Sequence, residues 1–266
     1  MSANTPEEAR PPLMRYATLF SSPTERAALC AAYNLRETLK SAPLGLHKEA
    51  VHARLSWWRR ELAGVVNGHA HHPSTRALLR AHPEAAAHAS RWTDILEVAA
   101  SETPDTPEAF NEYADHDWGH LLRTAADILN IAPPESWLSQ LGRALASAEA
   151  LQELGLDSAR GRIRLPADML AKEGVQQSSL RAGLCDEACM RLFSGQAHLS
   201  RTQLQAVLDT TPRSYGRHLL PLITLAALFR HVLEPVTRQG ALPLQTIPTI
   251  LPLRAWTLAV GCRLRG

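Results

Sequence analysis

Apolar residues recur along this chain at three- and four-residue spacing, the period of helices buried on one face. The clearest stretch is LGRALASAEALQELGLDSARGRIRLPADML, residues 141–170, where Leu141, Leu145, Ala148, Leu151 and Leu154 form one stripe. Upstream, Ser22-Pro23-Thr24-Glu25 reads as a helix start, with Ser22 as cap, and the helix runs to about Lys40 before Pro43 and Gly45. Val51, Leu55, Trp58 and Leu62 mark the next helix, which Gly64, Asn67 and Gly68 end. A short helix follows Ser74, another runs from about Glu84 to Ser101, and Thr106-Pro107 opens a long one that Pro133-Pro134 closes. Residues 179–209 read as one long helix with a bend near Gly195. The apolar run Leu219–Leu228 is too short for a membrane span and reads as a core helix, and the tail closes with a last amphipathic helix. The pattern predicts an all-α fold of nine or ten helices and no strand.

Composition agrees. Alanine and leucine dominate, hydrophobic residues make up 45% and charged residues 20%, as in globular helical proteins. The 266 residues suffice for one large domain, expected over 13–266, and residues 1–12 are expected to form a disordered lead. A formal net charge of +2, without a basic run interleaved with aromatics, gives no argument for nucleic acid. Cys30, Cys185, Cys189 and Cys262 form no CxxC, which suits a reducing compartment, and Cys185 and Cys189 are expected on one buried face. The proline- and acid-bearing start lacks the apolar core of a secretory signal, so a cytoplasmic location is expected, with the membrane surface as a variant of it.

Candidate chemistry concentrates after the alanine-rich stretch. Glu153 and Asp157 lie one turn apart on one face, and Arg160, Arg162 and Arg164 follow at once. Carboxylates beside arginines suit Mg²⁺ and phosphate oxygens. On spacing alone, a solvated helix end with the arginines as surface partners is the plainer reading. His69, His71 and His72 lack a clear fourth ligand and read as a solvated loop, and the consecutive Asp115, His116 and Asp117 point in different directions. Asp94 and Glu97 read as an exposed edge, Arg59 and Arg60 as a solvated face, and of Trp57 and Trp58 one is expected in the core.

The order of segments resembles the squalene/phytoene synthase family, of the all-α isoprenoid synthase fold built around a central cavity. The match is carried by SSPTERAALCAAYN, RLSWWRREL, NEYADHDWGHLLRTAADIL and, most specifically, the run with Glu153, Asp157 and Gly161-Arg162-Ile163-Arg164-Leu165-Pro166. Within it, Tyr33-Asn34, the tryptophan pair, the QAHL near Gln196 and TILPLRAW are similar to a divergent branch that includes a mitochondrial complex I assembly factor. The resemblance implies that catalytic members hold Mg²⁺ between two acidic motifs on facing helices, and that the metals draw diphosphate from a prenyl chain sheltered in an apolar cavity.

This chain departs from that pattern. The first motif retains Glu37 as its one acid, the second has glutamate at its first position, and Arg164 stands where the family has tyrosine. Trp118 falls where small cavity-lining residues are usual. The resemblance therefore implies first a non-catalytic binding or assembly factor with an unknown protein partner and no cofactor. The alternatives are an Mg-dependent prenyl transferase of squalene/phytoene synthase type, or a prenyl diphosphate or lipid binder without turnover. If active, Glu153, Asp157 and Glu37 would be catalytic, Glu153 and Asp157 would hold Mg²⁺, Arg160, Arg162 and Arg164 would hold diphosphate, and Trp118 would line or plug the cavity. Peripheral membrane association is a further expectation.

Overall fold

The computed structural model describes residues 13–45, 47–101 and 104–265; the lead expected over 1–12 lies outside the described residues. Among the described residues there is no strand. The helices are α1 (Leu13–Ala17), α2 (Pro23–Ser41), α3 (Lys48–Val66), α4 (Pro73–Ala81), α5 (Ala89–Ala100), α6 (Pro107–Ala114), α7 (His120–Ile128) and α8 (Glu135–Gln152). They continue as α9 (Leu154–Ala159), α10 (Ala167–Lys172), α11 (Gln177–Arg181), α12 (Glu187–Asp209), α13 (Leu220–Val232), α14 (Glu234–Arg238), α15 (Leu242–Gln245) and α16 (Pro252–Arg265). Ten of these sixteen have eight residues or more, against the expected nine or ten helices, and the other six are pieces of four to six residues.

Local chemistry accounts for the main boundaries. Ser22 Oγ accepts from Glu25 N at 3.2 Å while Ser22 N donates to Glu25 Oε2 at 2.9 Å, a reciprocal cap that starts α2 on Pro23. Residues 179–209 are not one helix. Gly183 takes φ +70°, which ends α11, and Asp186 accepts from Cys189 N at 2.8 Å to begin α12, which then runs unbroken through Gly195. Cys185 thus precedes the helix, half-buried, while Cys189 is buried within it.

α8 is the central rod. Every residue from Ala144 to Gln152 is buried, as expected of a helix covered on all sides. It packs against α12, α13 and a single π-helical turn, Asp115–Gly119, that joins α6 to α7. A Cβ on Gly142 of α8 would stand 3.2 Å from the backbone nitrogen of Gly119, so the rod and the turn approach closely there. The stripe expected to run on to Leu154 is interrupted at Glu153, yet Glu153 N donates to Glu149 O and Asp157 N to Glu153 O, both at 2.9 Å. The interruption therefore keeps Glu149, Glu153 and Asp157 on one side. α2 crosses this layer, packed on α4, α5 and α7.

One stretch, 214–238, is long and apolar enough to cross a membrane by length and composition, but 72% of its most apolar window is buried inside the fold. It contains α13, whose Leu222, Leu225, Leu228 and Phe229 are core residues, as expected for the Leu219–Leu228 run.

Gly155 anchors the segment that carries Asp157. A Cβ there would meet Pro243 O at 2.4 Å, a contact with rigid backbone. Gly155→Ala should destabilise the fold by about 1–3 kcal/mol, the usual cost of overpacking, measured by urea denaturation.

Candidate functional site

The turn Asp115–Gly119 decides what reaches the centre. Its wider winding buries Asp117, Trp118 and Gly119 together, while Asp115 faces outward to Arg143 and Ser139. Opposite stands α2, which presents Tyr33, Arg36, Glu37 and Lys40 at three- and four-residue spacing. α8, the junction after it and α9 supply Glu149, Glu153 and Asp157 in turn, a row at intervals of four, and Arg164 enters from the loop after α9.

Arg36 is fully buried. Its Nε and Nη2 donate to Asp117 at 2.7 and 2.5 Å, and its Nη1 and Nη2 donate to Glu149 at 3.0 and 2.7 Å. Nη1 also donates to Glu37 at 2.8 Å. One guanidinium therefore binds two carboxylates through paired contacts. Its face lies 4.1 Å from the centre of the Trp118 ring, whose Nε1 donates to Glu149 at 3.2 Å. Arg164 repeats the device: Nε donates to Asp157 at 2.6 Å, Nη2 to Glu153 at 2.5 Å and Nη1 to Glu149 at 3.2 Å.

The third cation is Lys40. Its Nζ lies 2.9 Å from Glu149, 3.4 Å from Glu153 and 3.6 Å from Glu37. Those three carboxylates come within 4.8 Å of one another, close enough to share a cation. The chain's own ammonium already stands among them. Three cations thus meet five carboxylates, a formal charge of −2 in a nearly closed space.

Electrostatics follow from this crowding. Burial alone would raise the Glu149 carboxyl, but Arg36, Lys40 and Arg164 together hold it well below its ordinary value. Burial pushes Glu37 up, and its cations do not fully offset that. Burial and Arg36 oppose the Lys40 ammonium, yet its carboxylates leave its pKa raised. Burial, then Glu37, lifts Tyr33 well above its ordinary value.

Little room is left. The space between α2 and Glu153/Asp157 is a cavity of about 20 Å³, whereas pockets for drug-sized ligands run to roughly 300–1,000 Å³. Trp118 is completely buried at the centre, edge-on to Phe229 with ring centres 5.6 Å apart. Of the arginines expected to face a ligand, Arg164 is buried and engaged with carboxylates, while Arg160 and Arg162 stand at the mouth. Glu37, the one acid of the first motif, lies beside Glu149 and Glu153. The sequence reading does not single out Arg36, Lys40 or Glu149, and it sets Asp117 aside as one of three consecutive residues pointing in different directions.

The other sequence candidates lie elsewhere. His71 and His72 donate their backbone N–H groups to Glu61 at 2.8 Å, and the His72 ring packs 4.6 Å from Trp58. Arg59 pairs with Glu97 at 2.6 Å on the exposed face. Trp58 is in the core and Trp57 is partly exposed.

With this geometry in view, the comparisons fall into place. The squalene/phytoene synthase family model matches residues 14–257, nearly the whole chain. This protein belongs to the squalene/phytoene synthase family. Among solved structures, a dehydrosqualene synthase in complex with ligand is similar at a TM-score of 0.76 and 17% identity, covering 95% of this chain and 90% of that one. The squalene synthase HpnC from Alicyclobacillus acidocaldarius aligns at 0.66 and 19%, covering 85% and 88%, and YisP from Bacillus subtilis at 0.64 and 14%, covering 94% and 90%. At such identities these likenesses speak to the fold. No curated protein matches the sequence.

The ion cluster makes a prediction with a definite sign. Glu149 is held below its ordinary pKa of about 4.3, so its contribution to stability is present above that pH and lost as pH falls through the depressed value. Glu37, raised by burial, behaves oppositely: its contribution is complete at low pH and lost as pH rises through its raised value. At pH 7, Glu149→Gln should therefore cost about 3–5 kcal/mol, because Arg36, Lys40 and Arg164 lose the carboxylate they share, while Glu37→Gln should be near neutral or stabilising. Urea denaturation of both variants at pH 7 and pH 4 checks this.

Proposed function

We propose that the protein is a non-catalytic squalene/phytoene synthase-like protein that works as a binding or assembly factor. The observation that supports this reading is Lys40 Nζ standing among Glu37, Glu149 and Glu153. The family resemblance implies that catalysis needs Mg²⁺ between acids on facing helices. The donor set is of the right kind, since carboxylates suit Mg²⁺, but it does not fit a metal while the lysine is in place. To admit one, the ammonium would have to leave a site where its side chain is only 10% exposed. Arg36 and Arg164 likewise engage the outlying carboxylates Asp117 and Asp157.

The apolar side supports the same reading. A prenyl chain needs a lined channel, and here Trp118, Arg36 and Phe229 pack together at the centre. Losing metal stabilisation of a polyanionic leaving group by about 5 kcal/mol already slows a reaction by between a thousand- and ten-thousand-fold. A second reading, an anionic-lipid or prenyl diphosphate binder without turnover, draws on Arg160, Arg162 and Arg181, which line an open groove of about 460 Å³ outside the cluster.

Incubation with farnesyl and geranylgeranyl diphosphates plus Mg²⁺ should release no diphosphate. Turnover that disappears in Glu153→Ala would overturn the non-catalytic reading. Binding of Mn²⁺, followed by electron paramagnetic resonance, should be weak in the unmodified protein and at least about tenfold tighter in Lys40→Ala, a gain of about 1.4 kcal/mol. Equal affinity in both would show that the lysine does not stand in for a metal.

A further inference from the structure

α16 has two apolar faces. Ala255 and Ala259 are buried, and Leu258 and Cys262 half-buried, on the side that packs against α1 and α13. On the opposite side Leu253 is 74% exposed, Trp256 49% and Leu264 81%, with Val260 half-buried between them. At 100° per residue these four positions fall within an arc of about 80°, and they extend over about 17 Å of helix. Leu251, 77% exposed, continues the apolar surface just before the helix.

The charges on the helix beside this stripe are basic, and the acids near them are Glu25, in the cavity shared with Arg263, and Glu234. Arg254 and Arg263 stand on opposite flanks of it, and Arg263 is held there with its guanidinium 4.5 Å over the Phe20 ring. After Glu234 the sequence contains four arginines and no aspartate or glutamate. Glu234, the nearest preceding acid, is occupied with His231 at 3.2 Å and Arg238 at 3.3 Å. Arg201 and Arg230 also lie within electrostatic reach of His231 beside Arg254, so the basic character extends past the helix itself.

We propose that α16 is an in-plane contact with an anionic membrane surface: Leu253, Trp256, Val260 and Leu264 enter the boundary between headgroups and acyl chains, and Arg254 and Arg263 meet lipid phosphates. The face is the exposed side of a helix, which a fluid interface accepts without a preformed groove. Its one polar tip, the Trp256 indole, is the group that settles at headgroup depth. The arginine stems allow their charges to reach the phosphates while the helix lies flat. This assignment concerns a surface away from the ion cluster and stands or falls independently of whether the protein turns over prenyl diphosphates.

The test is co-sedimentation of the full chain with phosphatidylcholine vesicles, with and without about 30% phosphatidylglycerol. Binding is expected at least about tenfold stronger to the anionic vesicles and weaker at about 0.5 M salt. Leu253→Ser with Trp256→Ser should lower it at least tenfold, and Arg254→Glu with Arg263→Glu should remove the preference for anionic lipid. The replaced positions are exposed, so circular dichroism melts should match the parent and separate loss of binding from loss of fold. Failure of the unmodified protein to bind, or binding that both variants leave unchanged, would overturn the proposal. So would light scattering that shows a dimer which Leu253→Ser with Trp256→Ser converts to monomer, because the stripe would then join two copies of the chain.

Discussion

A single guanidinium sets the arrangement at the centre of this protein. Arg36 joins Asp117 of the π-helical turn to Glu149 of the central rod, with paired contacts to each. Removing a charge from water costs several kcal/mol even after relaxation, so such a group is stable only where its donors are met. Here they are met by carboxylates from two other parts of the chain, far apart in sequence. The position of α2 relative to α8 is thereby tied to charge as well as to apolar packing. Lys40, one turn on, and Arg164, from the far side, complete the neutralisation of Glu149 and Glu153.

This explains how an isoprenoid synthase fold can bring these acids together: the cations that offset them belong to the chain itself. Acids alone would repel one another, and burial would force some to take up protons. In a metal-dependent site, divalent ions would remove that repulsion when they bind. In this chain, Arg36, Lys40 and Arg164 offset much of it. Trp118 extends the change to the apolar half: its ring covers the Arg36 guanidinium, and its indole N–H spends itself on Glu149. The same residues that close the ion cluster therefore also occupy the middle of the bundle.

The helical architecture was legible because period and punctuation agree. Leu141, Leu145, Leu151 and their neighbours mark a helix, and Ser22-Pro23 with Glu25 marks where one begins. The break at Gly183 was harder to see, because its left-handed backbone leaves the apolar spacing around it unchanged. In the site, Glu153 and Asp157 drew attention by their spacing and the arginines beside them. Glu149, one turn earlier, continues the same row, but it sits within the alanine-rich face and reads as part of the buried stripe. Arg36 and Lys40 show the same spacing on α2, yet nothing local distinguishes them from an ordinary solvated edge. Asp117 is placed by the widened turn, which shifts what a regular helix would present, and no residue pattern announces that turn.

The central claim is that the chain's own cations occupy the place of metal ions, and a crystal soaked in Mn²⁺ tests it most directly. The anomalous difference map should show no peak among Glu37, Glu149 and Glu153, with the Lys40 ammonium in density between them. A manganese peak bridging those carboxylates, with Lys40 turned away, would contradict the account.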